Sequence, residues 1–215
     1  TIAQITPPER GFISSEPAET WEQGLLSGNG TIGANVFGQP LDETIIFTHE
    51  RLFLPMGAPL MPPDQSARLF EIRQLIADGR YKQATQLQFD LSGQDGFMYP
   101  DPFVPAFDLK IKMHTDKEIR DYLRSVNFET GEAVVHWRDK HGSYERKLFV
   151  SRKDGIAVMQ IKGSAQGILN CELKLRRRIP EEKLDYKYIE GSVLRAASHI
   201  ADVEILADEQ YLTFK

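Results

Sequence analysis

Apolar and polar residues alternate through most of the second half of the chain, which is the pattern of β-strands with one buried face. Turn sequences that contain glycine separate the alternating stretches. Evenly spaced strands joined by such turns favour an antiparallel sandwich or barrel over a parallel sheet. The strands predicted in this half are residues 107–113, 133–137, 144–150, 157–161 and 169–175.

The first half combines strands with one helical island. Residues 31–53 are rich in β-branched and aromatic side chains and predict two or three strands. Apolar residues then recur at helical spacing over 69–76 and stop at Asp78-Gly79, and a second helix is predicted over 81–89. We therefore expect a mainly β fold with one inserted helical hairpin at about 64–89.

A glycine-rich run between the first strands has the spelling of a dinucleotide-binding motif. Residues 28–33, Gly-Asn-Gly-Thr-Ile-Gly, match G-x-G-x-x-G. That motif binds a pyrophosphate when a helix begins at its last glycine, because the free N–H groups at the helix N-terminus hold the anion. A β-prone stretch follows here instead. The pattern predicts strand, turn and strand, with glycines that allow tight turns and close packing.

Composition and charge limit the classes of function. The 215 residues are 41% hydrophobic and 27% charged, with a net charge of -5. These values suit one globular domain over 1–215 and disfavour nucleic acid or an anionic membrane as a partner. No apolar stretch reaches the roughly 18 residues of a membrane span. The lone Cys171 lies in an alternating apolar run and is predicted to be a core side chain.

The two ends of the chain suggest a piece of a longer protein. The chain begins with Thr1 and stops inside a β-like run, residues 211–215. A removed secretion signal would leave the same beginning and would favour a secreted or periplasmic location. The compartment otherwise stays open.

One cluster of ionisable residues lies at the end of the early strands. His49, Glu50 and Arg51 stand between apolar strand residues. A strand-end ion pair is the favoured interpretation, and an acid/base or sugar-binding pair is the alternative. No metal or cofactor is predicted, because the zinc motif H-E-x-x-H would need a histidine where Phe53 stands.

A long loop rich in glycine and proline is predicted at about 92–105, and loops of this length tend to be functional or mobile. Tyr99 in this loop and Trp21 before the glycine-rich run are candidates to stack on a sugar or to contact a neighbouring domain. Loop acids are usually solvated turn formers, although two acids held across a cleft could cleave a glycosidic bond. The acids near the loop are Asp95, Asp101 and Asp108.

Four stretches occur in the order seen in one known family. Residues 21–38, Trp-Glu-Gln-Gly-Leu-Leu-Ser-Gly-Asn-Gly-Thr-Ile-Gly-Ala-Asn-Val-Phe-Gly, resemble the opening signature of the N-terminal domain of glycoside hydrolase family 95, the α-L-fucosidase family. Residues 71–84, 120–131 and 144–151 are similar to its later blocks. The chain departs from the family's pattern at 48–53, which leaves another α-linked deoxy- or galacto-sugar open as the substrate.

The resemblance implies an antiparallel β-super-sandwich placed ahead of an (α/α)6 helical barrel that carries the catalytic groups. One helix pair cannot form that barrel, so no residue of this chain is matched to a catalytic role. The parent enzyme is expected to hydrolyse an α-L-fucoside with inversion. The expected partners are the C-terminal catalytic barrel of the same chain and a fucosylated or related glycan. The candidate sugar or domain contacts are Trp21, Asn29, His49, Glu50, Arg51 and Tyr99.

Two other functions are weighed beside this one. A free-standing carbohydrate-binding module would use Trp21 or the loop aromatics as stacking platforms. A small aldose-processing enzyme on a similar sandwich would use His49 and Glu50 as its acid and base.

Overall fold

The computed structural model of the chain describes residues 6–53, 64–92, 101, 103–165, 169–176 and 178, and the backbone of 205–207 and 212–214. Two compact units share the chain. The first comprises Thr1–Leu52, Val104–Asp185 and Ile200–Lys215, and the second comprises Phe53–Phe103 and Tyr186–His199. The single domain expected over 1–215 stays a prediction.

The first unit contains two five-stranded antiparallel sheets, here called sheet 1 and sheet 2. Sheet 1 has the strand order β1-β6-β7-β8-β9, and sheet 2 has the order β10-β5-β4-β3-β2. A separate antiparallel pair is formed by β11 and β12. The strands are β1 Gly11–Ser14, β2 Leu25–Gly28, β3 Ile32–Val36, β4 Asp42–His49, β5 Phe107–Met113, β6 Arg120–Asn127, β7 Ala133–Arg138, β8 Ser143–Val150, β9 Ala157–Gly163, β10 Cys171–Arg176, β11 Ile205–Ala207 and β12 Leu212–Phe214.

Sheets 1 and 2 share one apolar core. Trp137 and Tyr144 are paired across β7 and β8, both are fully buried, and their rings stack 5.3 Å apart. Sheet 2 contributes the fully buried side chains of Leu25, Ile45 and Ile111. Each such burial stabilises the fold by about 1.5–3 kcal/mol, so the inward-facing residues of both sheets hold them together. The predicted antiparallel sandwich is confirmed.

Two strands of sheet 1, β1 and β6, were not predicted from the alternation of apolar and polar residues. β1 lies between Pro8 and Pro17 and is only four residues long. β6 has a register shift between Arg120 and Leu123, and Asp121 within it has a φ of 48°, in the left-handed region. Its core-facing side also includes the buried Arg124. A bulge and an inward-facing charge break the period-two pattern from which strands are recognised.

The helical hairpin belongs to the second unit and confirms the predicted helices. Helix α1 spans Leu69–Ala77 and helix α2 spans Tyr81–Ser92, three residues beyond the predicted end. Gly79, with a φ of +72°, lies between them in the left-handed conformation that commonly ends a helix. Most of the predicted loop at about 92–105 lies outside the described residues.

The prediction for Cys171 is wrong. Its side chain is exposed on β10, an edge strand of sheet 2 in which only Leu175 is buried. The alternation of β10 was identified correctly, but an edge strand is covered from fewer directions than a central strand. Apolar spacing alone therefore overstated how much of β10 lies in the core.

Candidate contact surface at the glycine-rich turn

The glycine-rich run forms the turn between β2 and β3, as predicted. Asn29 closes this turn: its Oδ1 accepts hydrogen bonds from the N–H groups of Thr31, at 2.9 Å, and Ile32, at 2.8 Å. Its Nδ2 donates to the carbonyl of Ser151, which follows β8, at 2.9 Å. The amide of Asn29 therefore links a turn of sheet 2 to sheet 1, and this structural role accounts for its place in the sequence.

The glycines serve backbone conformation and close packing. Gly30 has a φ of +97°, which side chains rarely tolerate. A Cβ at Gly33 would lie 2.7 Å from Oγ1 of Thr48 on the neighbouring strand β4. β3 begins at Ile32, inside the run, so no helix begins at the last glycine and the free N–H groups that would hold a pyrophosphate are lacking here.

The candidate residues His49 to Arg51 lie beside this turn. The N–H of Glu50 donates to the carbonyl of Thr31 at 2.9 Å, and His49 pairs with Ile32 across β4 and β3. We call the surface formed by Asn29–Thr31 and His49–Arg51 the turn surface.

The predicted strand-end ion pair is present on the turn surface. Arg51 Nε lies 3.4 Å from Glu50 Oε1, and both side chains are exposed. His49 Nδ1 accepts the N–H of Arg51 at 3.2 Å. An exposed pair of this kind is worth about 0–1 kcal/mol, so its contribution to folding is small. Among the described residues, no group of three histidine, cysteine or acidic side chains could hold a metal ion.

Trp21 lies elsewhere, in a 3-10 turn over Trp21–Gln23 that precedes β2. Its carbonyl accepts a hydrogen bond from Nδ2 of Asn35 at 2.7 Å. Asn35 lies three residues along β3 from Ile32, which is the partner of His49 in the β3–β4 pairing. That spacing corresponds to about 10 Å along a strand. The structure brings Asn29 and His49–Arg51 together and separates Trp21 from them, whereas Tyr99 lies outside the described residues.

The three acids near the predicted loop have different outcomes. Asp95 lies outside the described residues, Asp101 is partly buried, and Asp108 belongs to β5. Asp108 is buried, and its carboxylate accepts hydrogen bonds from Nη1 of Arg178 at 3.0 and 3.2 Å. The charge of the Asp108 carboxylate is thus balanced by the guanidinium of Arg178.

A buried ion pair, which sequence reasoning missed, lies in the core. Arg146 Nη2 of β8 is 2.9 Å from Glu43 Oε2 of β4, and both side chains are fully buried. The guanidinium lies 5.1 Å from the centre of the Trp137 ring, a cation–π arrangement. Burial raises the pKa of Glu43 and lowers that of Arg146, whereas the charge of each partner opposes the shift.

This ion pair is bound to the connection between β3 and β4. Glu43 accepts the N–H groups of Gly38 and Thr44 at 2.9 Å. Three side chains of sheet 1 donate to consecutive carbonyls of the connection. They are Arg124 to Phe37 at 3.0 Å, Tyr122 to Gly38 at 2.8 Å and Arg146 to Gln39 at 2.7 Å.

The sequence did contain a signal for this network. Arg146 occupies an inward position of the alternating run that also includes Tyr144 and Leu148. Glu43 is likewise in phase with the buried Ile45 and Phe47 on β4. A charge at an inward position predicts a buried partner, because an unpaired buried charge is too costly to keep.

Replacing Asn29 by Ala should lower the free energy of unfolding by about 2–3 kcal/mol, because three hydrogen bonds worth about 1 kcal/mol each are lost. Asn29→Asp keeps the oxygen acceptor and loses the donor to Ser151, so the loss should be smaller, about 1 kcal/mol. Urea unfolding followed by tryptophan fluorescence measures both. Unchanged stability in Asn29→Ala would contradict the structural role.

No helix in the described ranges is long and apolar enough to cross a membrane.

Comparisons with known proteins find similarity to glycosyl hydrolases, and the family model that matches is that of family 65 rather than family 95. A family model described as "Glycosyl hydrolase family 65, N-terminal domain" matches residues 12–211. Alpha-L-fucosidase 2 of Arabidopsis thaliana is 25% identical to the chain over 158 residues, which are 73% of the chain. The chain spans 18% of the length of that relative.

Proposed function

Because the chain belongs to the glycosyl hydrolase family 65 N-terminal domain family, we propose that it is the non-catalytic N-terminal sandwich of an inverting, α-L-fucosidase-like glycoside hydrolase. The sequence blocks that resemble family 95 and the similarity to a plant α-L-fucosidase support this choice of sugar. The catalytic acid and base would belong to a helical barrel in the rest of the parent chain.

The match of residues 12–211 to a glycosyl hydrolase N-terminal domain carries the proposal, and the state of the buried carboxylates agrees with it. Glycoside hydrolysis needs two carboxyl groups free to face the sugar across a cleft. The buried carboxylates of the described residues are Glu43, Asp108 and Asp139. The first two are held by Arg146 and Arg178. Asp139 accepts hydrogen bonds from the N–H of His141 at 2.7 Å and from the hydroxyl of Tyr144 at 3.1 Å.

The two separated groups of candidate residues suit two different contacts. The turn surface exposes Glu50 and Arg51, whose charged groups can hydrogen-bond to sugar hydroxyls. We place this surface at the wall of the sugar pocket, and Tyr99, outside the described residues, stays a candidate contact from the sequence alone. Trp21 is placed at the contact with the barrel. On the turn surface, Asn29 would act through the shape of its turn, because its side chain is hydrogen-bonded to the backbone of Ile32 and Ser151.

The direct test compares the full-length parent protein with the 215-residue chain on an aryl α-L-fucoside. The full-length protein should release the aryl group, and proton NMR should show the β-anomer of fucose as the first product, as inversion requires. The isolated chain should show no turnover. Robust turnover by the isolated chain would overturn the non-catalytic assignment, and turnover of an aryl α-galactoside alone would overturn the choice of sugar.

A carbohydrate-binding module is the second candidate, and the 57% exposure of Trp21 favours it. An exposed indole ring can stack on the face of a sugar ring. Titration of the isolated chain with fucosylated glycans separates the two functions. Saturable binding that Trp21→Ala abolishes would support the module.

A further inference from the structure

Two large apolar side chains are exposed together at the β2 edge of sheet 2. Trp21 is 57% exposed and Leu26 is 67% exposed. Both flank Asn35, because Leu26 is its partner in the β2–β3 pairing and Trp21 accepts its hydrogen bond. Exposed apolar residues are ordinary one at a time, whereas a group of them at one place is typical of a contact surface.

The backbone around Trp21 is firmly held even though its ring is exposed. The Trp21 carbonyl accepts hydrogen bonds from Nδ2 of Asn35 and, at 3.2 Å, from the N–H of Gly24. A Cβ at Gly24 would lie 1.6 Å from Oδ1 of Asn35, so a side chain there would displace the amide that donates to Trp21. The N–H of Glu19 donates to Oε1 of Gln23 at 2.8 Å and closes the same turn.

The connection between β3 and β4 extends this support. The N–H of Ala18 donates to the carbonyl of Phe37 at 2.8 Å, and Nε2 of Gln39 donates to the carbonyl of Ala18 at 2.6 Å. Arg124 and Arg146 hold those two residues of the connection from sheet 1. The backbone that carries Trp21 is therefore held in place, so little backbone conformational entropy is lost when a partner binds there.

The charges around the pair define its partner. The chain contains no lysine or arginine between Arg10 and Arg51, and Glu16, Glu19 and Glu22 are all exposed. A partner surface that accepts the indole and the leucine would therefore need basic residues around its apolar centre. Complementary charge steers such an encounter and fixes its orientation.

We propose that Trp21, Leu26, Glu19 and Glu22, here called the Trp21 patch, dock the sandwich onto the catalytic part of the same parent chain. The receiving surface is an apolar pocket with a basic rim. Tryptophan is among the residues that dominate binding energy at protein interfaces. Leu26 favours a protein over a sugar, because an aliphatic side chain adds buried area but no stacking surface. This inference rests on the proposed function for the existence of that catalytic part.

Cysteine labelling in the full-length parent protein tests the docking. The background variant is Cys171→Ser, which removes the exposed native thiol. Leu26→Cys is compared with Lys140→Cys, because the side chain of Lys140 is 68% exposed in the turn between β7 and β8 of sheet 1, whereas Leu26 is 67% exposed. A maleimide should label the Leu26→Cys variant at least about tenfold more slowly than the Lys140→Cys variant, because docking protects it.

Three further measurements sharpen the result. In denaturant the two variants should react at equal rates. Adding Trp21→Ala, or Glu19→Lys with Glu22→Lys, should restore fast labelling of the Leu26→Cys variant under native conditions. Equal native rates in the two cysteine variants overturn the docking, as does protection that arises only when a fucosylated glycan is added.

The same preparation is assayed on an aryl α-L-fucoside, so that the two proposals fail separately. Turnover with equal labelling rates overturns the docking surface and leaves the proposed function intact. Slow labelling of the Leu26→Cys variant without turnover of any aryl glycoside supports the docking surface and overturns the fucosidase assignment.

Discussion

Replacing Arg146 by Met should lower the free energy of unfolding by about 3–5 kcal/mol, because it leaves the carboxylate of Glu43 buried without its counter-charge. The substitution also removes the donor to the Gln39 carbonyl and the cation over the Trp137 ring. Urea denaturation of the 215-residue chain, followed by fluorescence and circular dichroism, measures the loss.

Lys147→Met is the matched control, since it removes a cation from the next position of the same strand. Lys147 faces outward and pairs with Glu132 at 3.3 Å across a partly exposed surface. Its loss should cost at most about 1 kcal/mol. Adding Glu43→Gln to Arg146→Met should recover part of the stability, because the glutamine still accepts backbone N–H groups without carrying a buried charge. A cost below about 1 kcal/mol for Arg146→Met would show that the pair is not a main support of the sandwich.

Gly38→Ala should be the second large effect, at about 2–5 kcal/mol of lost stability. Gly38 has a φ of +79°, and a left-handed conformation costs an alanine about 1–2 kcal/mol. Its Cβ would lie 2.8 Å from the hydroxyl of Tyr122 and 3.0 Å from Cδ of Arg124. Overpacking of this kind adds about 1–3 kcal/mol. The same denaturation experiment measures the change.

Gly155→Ala separates the two causes. Gly155 also has a positive φ, +64°, but a Cβ there would meet no atom within 4 Å. Its substitution should cost only the conformational part, about 1–2 kcal/mol. Equal losses for Gly38→Ala and Gly155→Ala would mean that Tyr122 and Arg124 give way to the methyl group without cost.

These substitutions also bear on function, because the network that they disturb supports Trp21. Arg124 and Arg146 hold Phe37 and Gln39, and those residues hold Ala18, three positions before Trp21. A weakened connection should therefore loosen the Trp21 patch as well as the core. A fixed interface residue on a rigid sandwich is what an accessory domain needs if it docks on a catalytic partner.

Local pattern determined much of this fold. Period-two alternation identified β5, β7, β8, β9 and β10, and helical spacing identified α1 and α2. These patterns succeed because the side-chain period of an element fixes which residues can share a buried face. The β-prone residues after the glycine-rich run also distinguished a turn from a phosphate-binding loop, because they predicted a strand where that loop would need a helix.

The candidate residues were only partly predictable. The proximity of Asn29 to His49 and Glu50 depends on the pairing of β3 with β4, which brings Thr31 and Glu50 together. Trp21 lies apart from His49 because it contacts Asn35, three residues along β3 from the residue that pairs with His49. The engagement of the Asn29 side chain by Ser151, 122 positions away in the sequence, required the packing of one sheet on the other.

The sequence by itself determined the mainly β class, the helical pair, the turn at the glycine-rich run and the resemblance to a fucosidase N-terminal domain, because these depend on residues close together in the chain. Only the tertiary structure decided that Glu43 and Arg146 form a buried pair, that Cys171 is exposed and that Trp21 has a held backbone and an exposed ring. The physical reason is that burial and charge pairing depend on which strands become neighbours across the sandwich. Side-chain period describes one strand at a time and carries no information about the partner that faces it.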